Sequence, residues 1–479
     1  MHVHVMSPSM MSTREGRWGA SLWGVLIVLC TVVFLDGLDV SMVGVALPSI
    51  QAELGMSTSA LQWVVSGYVL GYGGLLLLGG RTADLLGRRR VLLVALAVFA
   101  FASLLGGIVD NGALLIAARF VKGMSAAFTA PAALSIITTT FAEGPERNRA
   151  LSIFTACAAS GFSLGLILSG LLTELGWRWT FLMPVPVAIA ALVAGARLLP
   201  RSEERGEGGY DLFGALTITS GMLLLVYTVV EAPEVALGRT VATGLVAAVL
   251  LALFVWWELR TKHPLVRLGI LRSAPLRRAN LGLVILFGSY VGFQFVAMQY
   301  FQNMLGWSAL ATSLAFLPAG LLVALFSTRV GSLADRFGTQ KIVLAGSVSL
   351  VLAYLVFLNI DMDPSLWLVI PGMLLLGGAF ALAFPSLNIQ GTNGVADAEQ
   401  GLASGLINTS GQVGGAVVLA IVTATLTSGA GGGDPLGSTR AAIVISAVFA
   451  LIGLGISITG VVAGRRRRTP AAEQVLEVV

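Results

Sequence analysis

The chain has 479 residues, 56% of them hydrophobic and only 11% charged, with a mean hydropathy of +0.89. No soluble domain of this length has such a composition, so the chain reads as an all-α polytopic membrane protein. Its net charge of +5 invites a nucleic-acid reading, which the placement of the basic residues argues against.

A helix needs ~20 apolar residues to cross ~30 Å of hydrocarbon. Runs of that kind lie near 21–47, 61–80, 91–109, 113–137, 150–172, 178–199, 211–230, 240–258, 280–304, 309–328, 341–360, 364–387, 402–427 and 440–463, fourteen in all. Gly and Pro interrupt several, as membrane helices tolerate. The first run is too long for a cleaved signal peptide, holds two aspartates and lacks a small-residue cleavage site.

Only four charges sit deep in any run: Asp36 and Asp39 in the first, Arg119 and Lys122 in the fourth. Each costs at least ~2.5–3.5 kcal/mol in hydrocarbon, so function is expected at this set. Asp36 and Asp39 are three apart and share a helix face. A carboxylate there is suited to taking up a proton on one side of the membrane and releasing it on the other. At ~1.5 Å per residue, Asp39 lies ~12 Å, Arg119 ~9 Å and Lys122 ~13 Å below the outer ends of their helices, so a static ion pair is the alternative use, compatible with proton coupling. On these grounds alone either acid could couple to protons.

Orientation follows from the basic residues. With a cytoplasmic N-terminus, inside segments collect 24 of the 29 Lys and Arg, while outside loops hold only Arg178, Arg239 and Arg440. Both termini are therefore expected in the cytoplasm. The Arg465–Arg468 run reads as a stop and anionic-lipid anchor, not a nucleic-acid patch. Cys30 and Cys157 fall in apolar runs and read as buried hydrophobes. The three histidines, His2, His4 and His263, lie in inside segments, so no metal site or cofactor is expected. A phosphate-cradling Gly-x-x-x-x-Gly-Lys-Ser/Thr loop is missing, which argues against an ATP-driven pump. Paired bundles with a duplicated loop argue against a channel, and nothing suggests an enzyme.

That duplication follows run two as Gly80-x-x-Ala83-Asp84-x-x-Gly87-Arg88-Arg-Arg90, and run ten as Gly331-x-x-Ala334-Asp335-x-x-Gly338-Thr-Gln-Lys341. Two related helix bundles are implied, as in secondary transporters with parallel repeats. The expected organisation is a cytoplasmic segment over 1–20 and an N-terminal six-helix bundle over 21–199. Linkers and two inserted helices follow over 200–279, then a C-terminal six-helix bundle over 280–463 and a tail over 464–479.

The Gly-x-x-Ala-Asp-x-x-Gly-Arg-Arg-Arg loop resembles the signature loop of the major facilitator superfamily. Leu38-Asp39-Val-Ser-Met-Val-Gly-Val-Ala46-Leu47-Pro48 resembles the first-helix motif of its fourteen-helix branch, the drug:proton antiporter-2 group. Trp177-Arg178-Trp179, Gly306-Trp-Ser308, Phe316-Leu-Pro318 and Gly401-Leu-Ala-Ser404-Gly405 also fit, so the resemblance runs from about residue 20 to 465. It implies proton-coupled efflux of amphipathic drugs or antibiotics across the cell membrane of a bacterium, whose Arg-rich usage suggests a high-GC genome. It also implies proton coupling at Asp39, which alone matches the first-helix motif position, with Asp36 second, and proton handling by Arg119, within Arg-x-x-Gln-Gly. A conformational latch built from Gly80, Asp84, Gly87, Arg88 and Asp335 follows, with Asp84 meeting the cytoplasmic end of run thirteen.

Two departures stand out. Lys122 takes the Gln position of the fourth-helix motif, setting two acids against two bases. Run five reads Gly161-Phe-Ser-Leu-Gly165-Leu166-Ile-Leu-Ser169-Gly170, with Leu166 where the antiporter motif has Pro and Ser169 for one Gly. Its small residues still allow close helix approach. Run ten carries no acid, so monovalent, zwitterionic or neutral substrates are expected. The cavity is assigned to Lys122, Gln294 and Asn408, the amides serving either as interhelical glue or as substrate contacts. The alternatives are a dedicated exporter of one endogenous metabolite, such as a self-made antibiotic, and a proton symporter. The expected partners are protons, a small amphipathic substrate and the bilayer, with the protein working as a monomer.

Overall fold

The computed structural model describes residues 18–142, 145–200, 211–232, 235–261, 264, 268–326, 329–393, 395, 400–430 and 434–466. Within these, regular structure is helical throughout. The first group comprises α1 (Ala20–Leu54), α2 (Thr58–Leu86), α3 (Arg88–Ile108), α4 (Gly112–Thr140), α5 (Pro145–Leu175), α6 (Trp179–Leu182) and α7 (Pro184–Leu198). Then come α8 (Leu212–Glu231) and α9 (Leu237–Glu258). The rest are α10 (Ala274–Met298), α11 (Ala309–Phe326), α12 (Val330–Phe337), α13 (Thr339–Phe357), α14 (Leu366–Thr392), α15 (Gln400–Ala430) and α16 (Pro435–Arg466).

Twelve helical spans among the described residues are long and apolar enough to cross a membrane. The other two apolar runs are also helical, as the 29-residue α2 and the 20-residue α8. Run six is broken at Met183 into α6 and α7, where Pro184 opens the second helix. Run nine ends in a π-helical turn over Gln299–Met304, a distortion that periodicity does not reveal. Run one continues through Pro48 to Leu54, where Gly55 at φ 61° closes it in the left-handed region.

Polar residues between the runs set the helix starts. Ser57 accepts from the Ala60 amide at 3.1 Å, Asn111 from Ala113 at 2.9 Å and Asp211 from Gly214 at 2.7 Å. The duplicated loop explains its own second glycine. Gly87 at φ 94° separates α2 from α3, and Gly338 at φ 87° separates α12 from α13. Both copies make the same sharp break, which a side chain would oppose.

Packing sorts the helices. α1 lies on α5 and α7, α2 on α4, and α3 on α4 and α7, while α10 lies on α15 and α16, and α13 on α14 and α16. The two groups meet where α2 touches α15 and α5 touches α11. α8 and α9 pair with each other, and α8 rests on both α2 and α15. α9 turns Leu245, Val249, Leu253 and Trp256 outward, a surface suited to lipid rather than water.

Close crossings depend on missing side chains. A Cβ at Gly37 would stand 2.6 Å from the Ala158 carbonyl oxygen and 3.1 Å from the Phe162 nitrogen of α5. Gly37→Ala is therefore expected to pry α1 from α5 and cost about 1–3 kcal/mol. Gly455→Ala on α16, where nothing lies within 4 Å, should be neutral or slightly stabilising. Thermal unfolding of the purified protein in detergent compares the two directly.

Candidate functional site

α1 and α4 bring three of the four deep charges into one cluster. The Arg119 guanidinium Nη1 donates to Asp39 Oδ2 at 2.5 Å, and Lys122 Nζ donates to Asp39 Oδ1. Spaced three apart, the two bases share one face of α4 and straddle the acid. Asp39 and Lys122 have no exposed surface, and Arg119 is almost as deeply enclosed. Arg119 Nε donates to the Val64 carbonyl of α2 at 3.0 Å, and its guanidinium lies 4.5 Å from the Tyr68 ring centre. Lys122 Nζ is 4.8 Å from the Phe99 ring of α3 and 5.3 Å from that of Phe181 on α6.

Asp36 stands apart from that ion cluster. It accepts from the Thr129 hydroxyl of α4 at 3.1 Å, and among the described residues no basic group lies within ion-pairing distance. The arrangement of two acids against two bases is thus uneven: Asp39 takes both bases.

The glycines of α5 divide their work. Gly161 faces the Phe34 carbonyl and Gly165 faces Leu38 and Ser41, all on α1. A Cβ at Gly170 would meet Ser313 Oγ of α11 at 2.5 Å, so this glycine serves the other group of helices. The two departures have structural uses. Ser169 donates to the Met42 carbonyl of α1, and Leu166 is buried in an apolar cluster built mainly from α10 to α16.

Of the latch residues, Gly87 makes the break between α2 and α3, and Arg88 is half-buried at the start of α3. A Cβ added at Gly80 would meet Pro131 at an ordinary 3.7 Å. The side chains of Asp84 and Asp335 lie outside the described residues. Gln294 is buried on α10, its Nε2 without a hydrogen-bond partner among the described residues and close to Gly44 of α1. Asn408 is half-buried on α15. Lys122 sits wholly inside the cluster with Asp39.

Three features escape sequence reasoning. Phe162 of α5 lies parallel to Phe380 of α14, at 9° and 6.1 Å between centres, with Tyr290 at 5.0 Å and Phe287 at 5.6 Å from Phe380. The rings come from three helices far apart in the chain, α5, α10 and α14, and no local pattern announces them. A polar seam also joins the two groups at the end where α1 finishes. There Gln302 donates to the Val45 carbonyl at 2.9 Å, Asn303 to Gln51 Oε1 at 3.4 Å, and the Leu310 amide to Glu174 Oε1 at 3.3 Å. Within the first group, Arg178 bridges Glu53 and Asp110, and Trp177 Nε1 donates to Glu53 at 2.7 Å. The Trp-Arg-Trp motif marks the position of its donors in the sequence, but nothing there names Glu53 and Asp110 as partners.

Comparison with known proteins fits this geometry. Residues 29–419 match the family model described as Major Facilitator Superfamily. The chain belongs to that superfamily. It is 36% identical over 442 residues to the puromycin resistance protein pur8 of Streptomyces alboniger, covering 89% of this chain and 85% of that protein. It is 38% identical over 416 residues to the cephamycin export protein CmcT of Amycolatopsis lactamdurans, covering 85% of each. A solved POT family transporter superposes with a TM-score of 0.65 at 16% identity, covering 93% of this chain and 96% of that one. At that identity the likeness speaks for the fold alone. As a facilitator-superfamily member the protein is a multi-span membrane transporter, not an enzyme.

In this superfamily member, Asp39→Asn would leave Arg119 and Lys122 enclosed without a counter-charge, at about 3–5 kcal/mol. Adding Lys122→Gln removes the repulsion between the bases and should restore part of the loss. Midpoints of thermal unfolding for wild type, single and double variants check this; a single variant as stable as wild type would contradict the pairing.

Proposed function

We propose that the protein exports amphipathic organic molecules, antibiotics among them, in exchange for protons. The observation that carries this is the enclosed Asp39–Arg119–Lys122 cluster with Asp36 beside it on α1. The two relatives, one named for puromycin resistance and the other for cephamycin export, support the efflux direction. The second of those names also favours a narrower reading, a dedicated exporter of one self-made antibiotic.

The protein spans the membrane fourteen times, counting α2 and α8, with both termini in the cytoplasm as the basic residues dictate. Residues 21–199 and 280–463 form the two moving bundles, 200–279 the insert between them, and the drug:proton antiporter-2 group is the branch. The setting is the cell membrane of a high-GC bacterium, and the unit is a monomer. In this orientation the seam at Gln51, Glu174, Gln302 and Asn303 closes the outer side. Rocking of the bundles breaks it and opens the site outward, where substrate leaves and a proton enters. Asp84 latches the cytoplasmic side in that state.

Substrate lies against Phe162, Tyr290 and Phe380, with the free amide of Gln294 as its polar contact. Such a site binds by apolar burial with few fixed polar groups, and tolerates varied ligands. It holds no acid, which favours neutral or singly charged molecules.

Ethidium uptake into everted vesicles under an imposed pH gradient tests coupling. Wild-type uptake should collapse with a protonophore, and uptake indifferent to the protonophore would contradict antiport. An absence of uptake would favour the dedicated exporter. Gln294→Ala should raise the concentration for half-maximal uptake by roughly 5–30-fold, the equivalent of one hydrogen bond at about 1–2 kcal/mol, while the protein level stays unchanged.

A further inference from the structure

Two carboxylates three residues apart on one helix face have been given opposite surroundings. Asp39 is fully enclosed and holds two cations. Asp36 keeps 8% of its surface accessible and faces a hydroxyl. Neutralising Asp39 would strip the counter-charge from two bases at once, whereas neutralising Asp36 would strip it from none.

Thr129 adds a second, independent feature. Its Oγ1 lies 3.1 Å from Asp36 Oδ2 and 3.2 Å from the Ala126 carbonyl, which only accepts. A hydroxyl has one hydrogen to donate and lone pairs to accept with. While Asp36 is ionised, that hydrogen points to the carboxylate. When Asp36 gains a proton, its new O–H donates to Thr129 Oγ1, and the threonine hydrogen turns to the Ala126 carbonyl. No hydrogen bond is lost in either state. Asp39 has no such two-state partner.

We infer that Asp36 is the group that takes up and releases the proton, and that Asp39, Arg119 and Lys122 form a permanently charged support for it. This assignment rests on the antiport reading above. The charges that face Asp36 are Asp39 from its own helix and Lys122 from α4, with the Tyr68 and Tyr72 hydroxyls of α2 also within electrostatic reach. At the neighbouring Gly37, the nearest α5 atoms are backbone atoms of Ala158 and Phe162. With Asp36 ionised, two acids meet two bases and the set is neutral; with it protonated, the set carries one positive charge. A cationic substrate is then repelled from the protonated state, which is the competition that exchange requires.

Infrared difference spectra between acidic and alkaline buffer, taken on purified wild-type protein, should show a carboxylic-acid C=O band. The band should vanish in Asp36→Asn and persist in Asp39→Asn/Lys122→Gln. Thr129→Val should keep the band and move it to higher frequency, because the acid loses its hydrogen-bond partner. In vesicles, Asp36→Asn should lose pH-driven ethidium accumulation and retain ethidium counterflow. A band that survives Asp36→Asn, or that Asp39→Asn/Lys122→Gln removes, overturns the assignment and leaves antiport standing. Wild-type uptake indifferent to a protonophore overturns antiport itself.

Discussion

One carboxylate holds the centre of the N-terminal half together. Asp39 joins α1 to α4 through two bases, and Arg119 carries the connection on to α2 through the Val64 carbonyl. In hydrocarbon a lone charge is intolerable, so these helices cannot drift apart without leaving one behind. The aromatic faces of Tyr68, Phe99 and Phe181 fill the space that water would otherwise occupy around the cations. The position of every other group nearby, Asp36 included, is measured from this anchor.

The anchor demands close helix approach, and small residues supply it. Gly37, Gly161 and Gly165 let α1 and α5 meet backbone to backbone, and Ser169 adds a hydrogen bond to Met42. Because lipid offers no hydrophobic drive between helices, association relies on such contacts. The same α5 turns Gly170 and Leu166 toward the other half of the molecule. One helix thus has a face fixed on α1 and a face that must slide if the halves rock. A proline at position 166 would remove a backbone donor from the helix; leucine keeps it and fills the junction instead.

Much of this was legible in the sequence because the physics is local. Apolar length gave the helices, and the repeated Gly–Ala–Asp–Gly loop gave the paired breaks at Gly87 and Gly338. Four deep charges stood out because hydrocarbon tolerates so few. What periodicity could not reveal was partnership across the fold. Spacing placed Asp36 and Asp39 on one face, yet the choice of partner depends on which residue of α4 stands opposite each, Thr129 or the two bases. The π turn at Gln299–Met304 and the stack of Phe162 on Phe380 belong to the same class, since each depends on geometry set by distant segments. The Asp84 and Asp335 side chains, central to the latch expected from sequence, lie outside what the structure describes.

The departure at Lys122 reads differently once the partners are known. The family pattern places one acid on the first helix and one base with a neutral amide on the fourth. This chain adds a base at Lys122, and it also carries a second acid at Asp36. Taken singly, either addition would leave an uncompensated charge in the membrane. Together they cancel, and they lie within electrostatic reach of each other. The two are best understood as one change. On the assignment proposed above, Lys122 saturates Asp39 and makes that acid a fixture, and Asp36 is left as the carboxylate that alters its charge. A single Lys122→Gln substitution would therefore loosen the division of labour between the two acids, because Asp39 would again face one base and could compete for the proton.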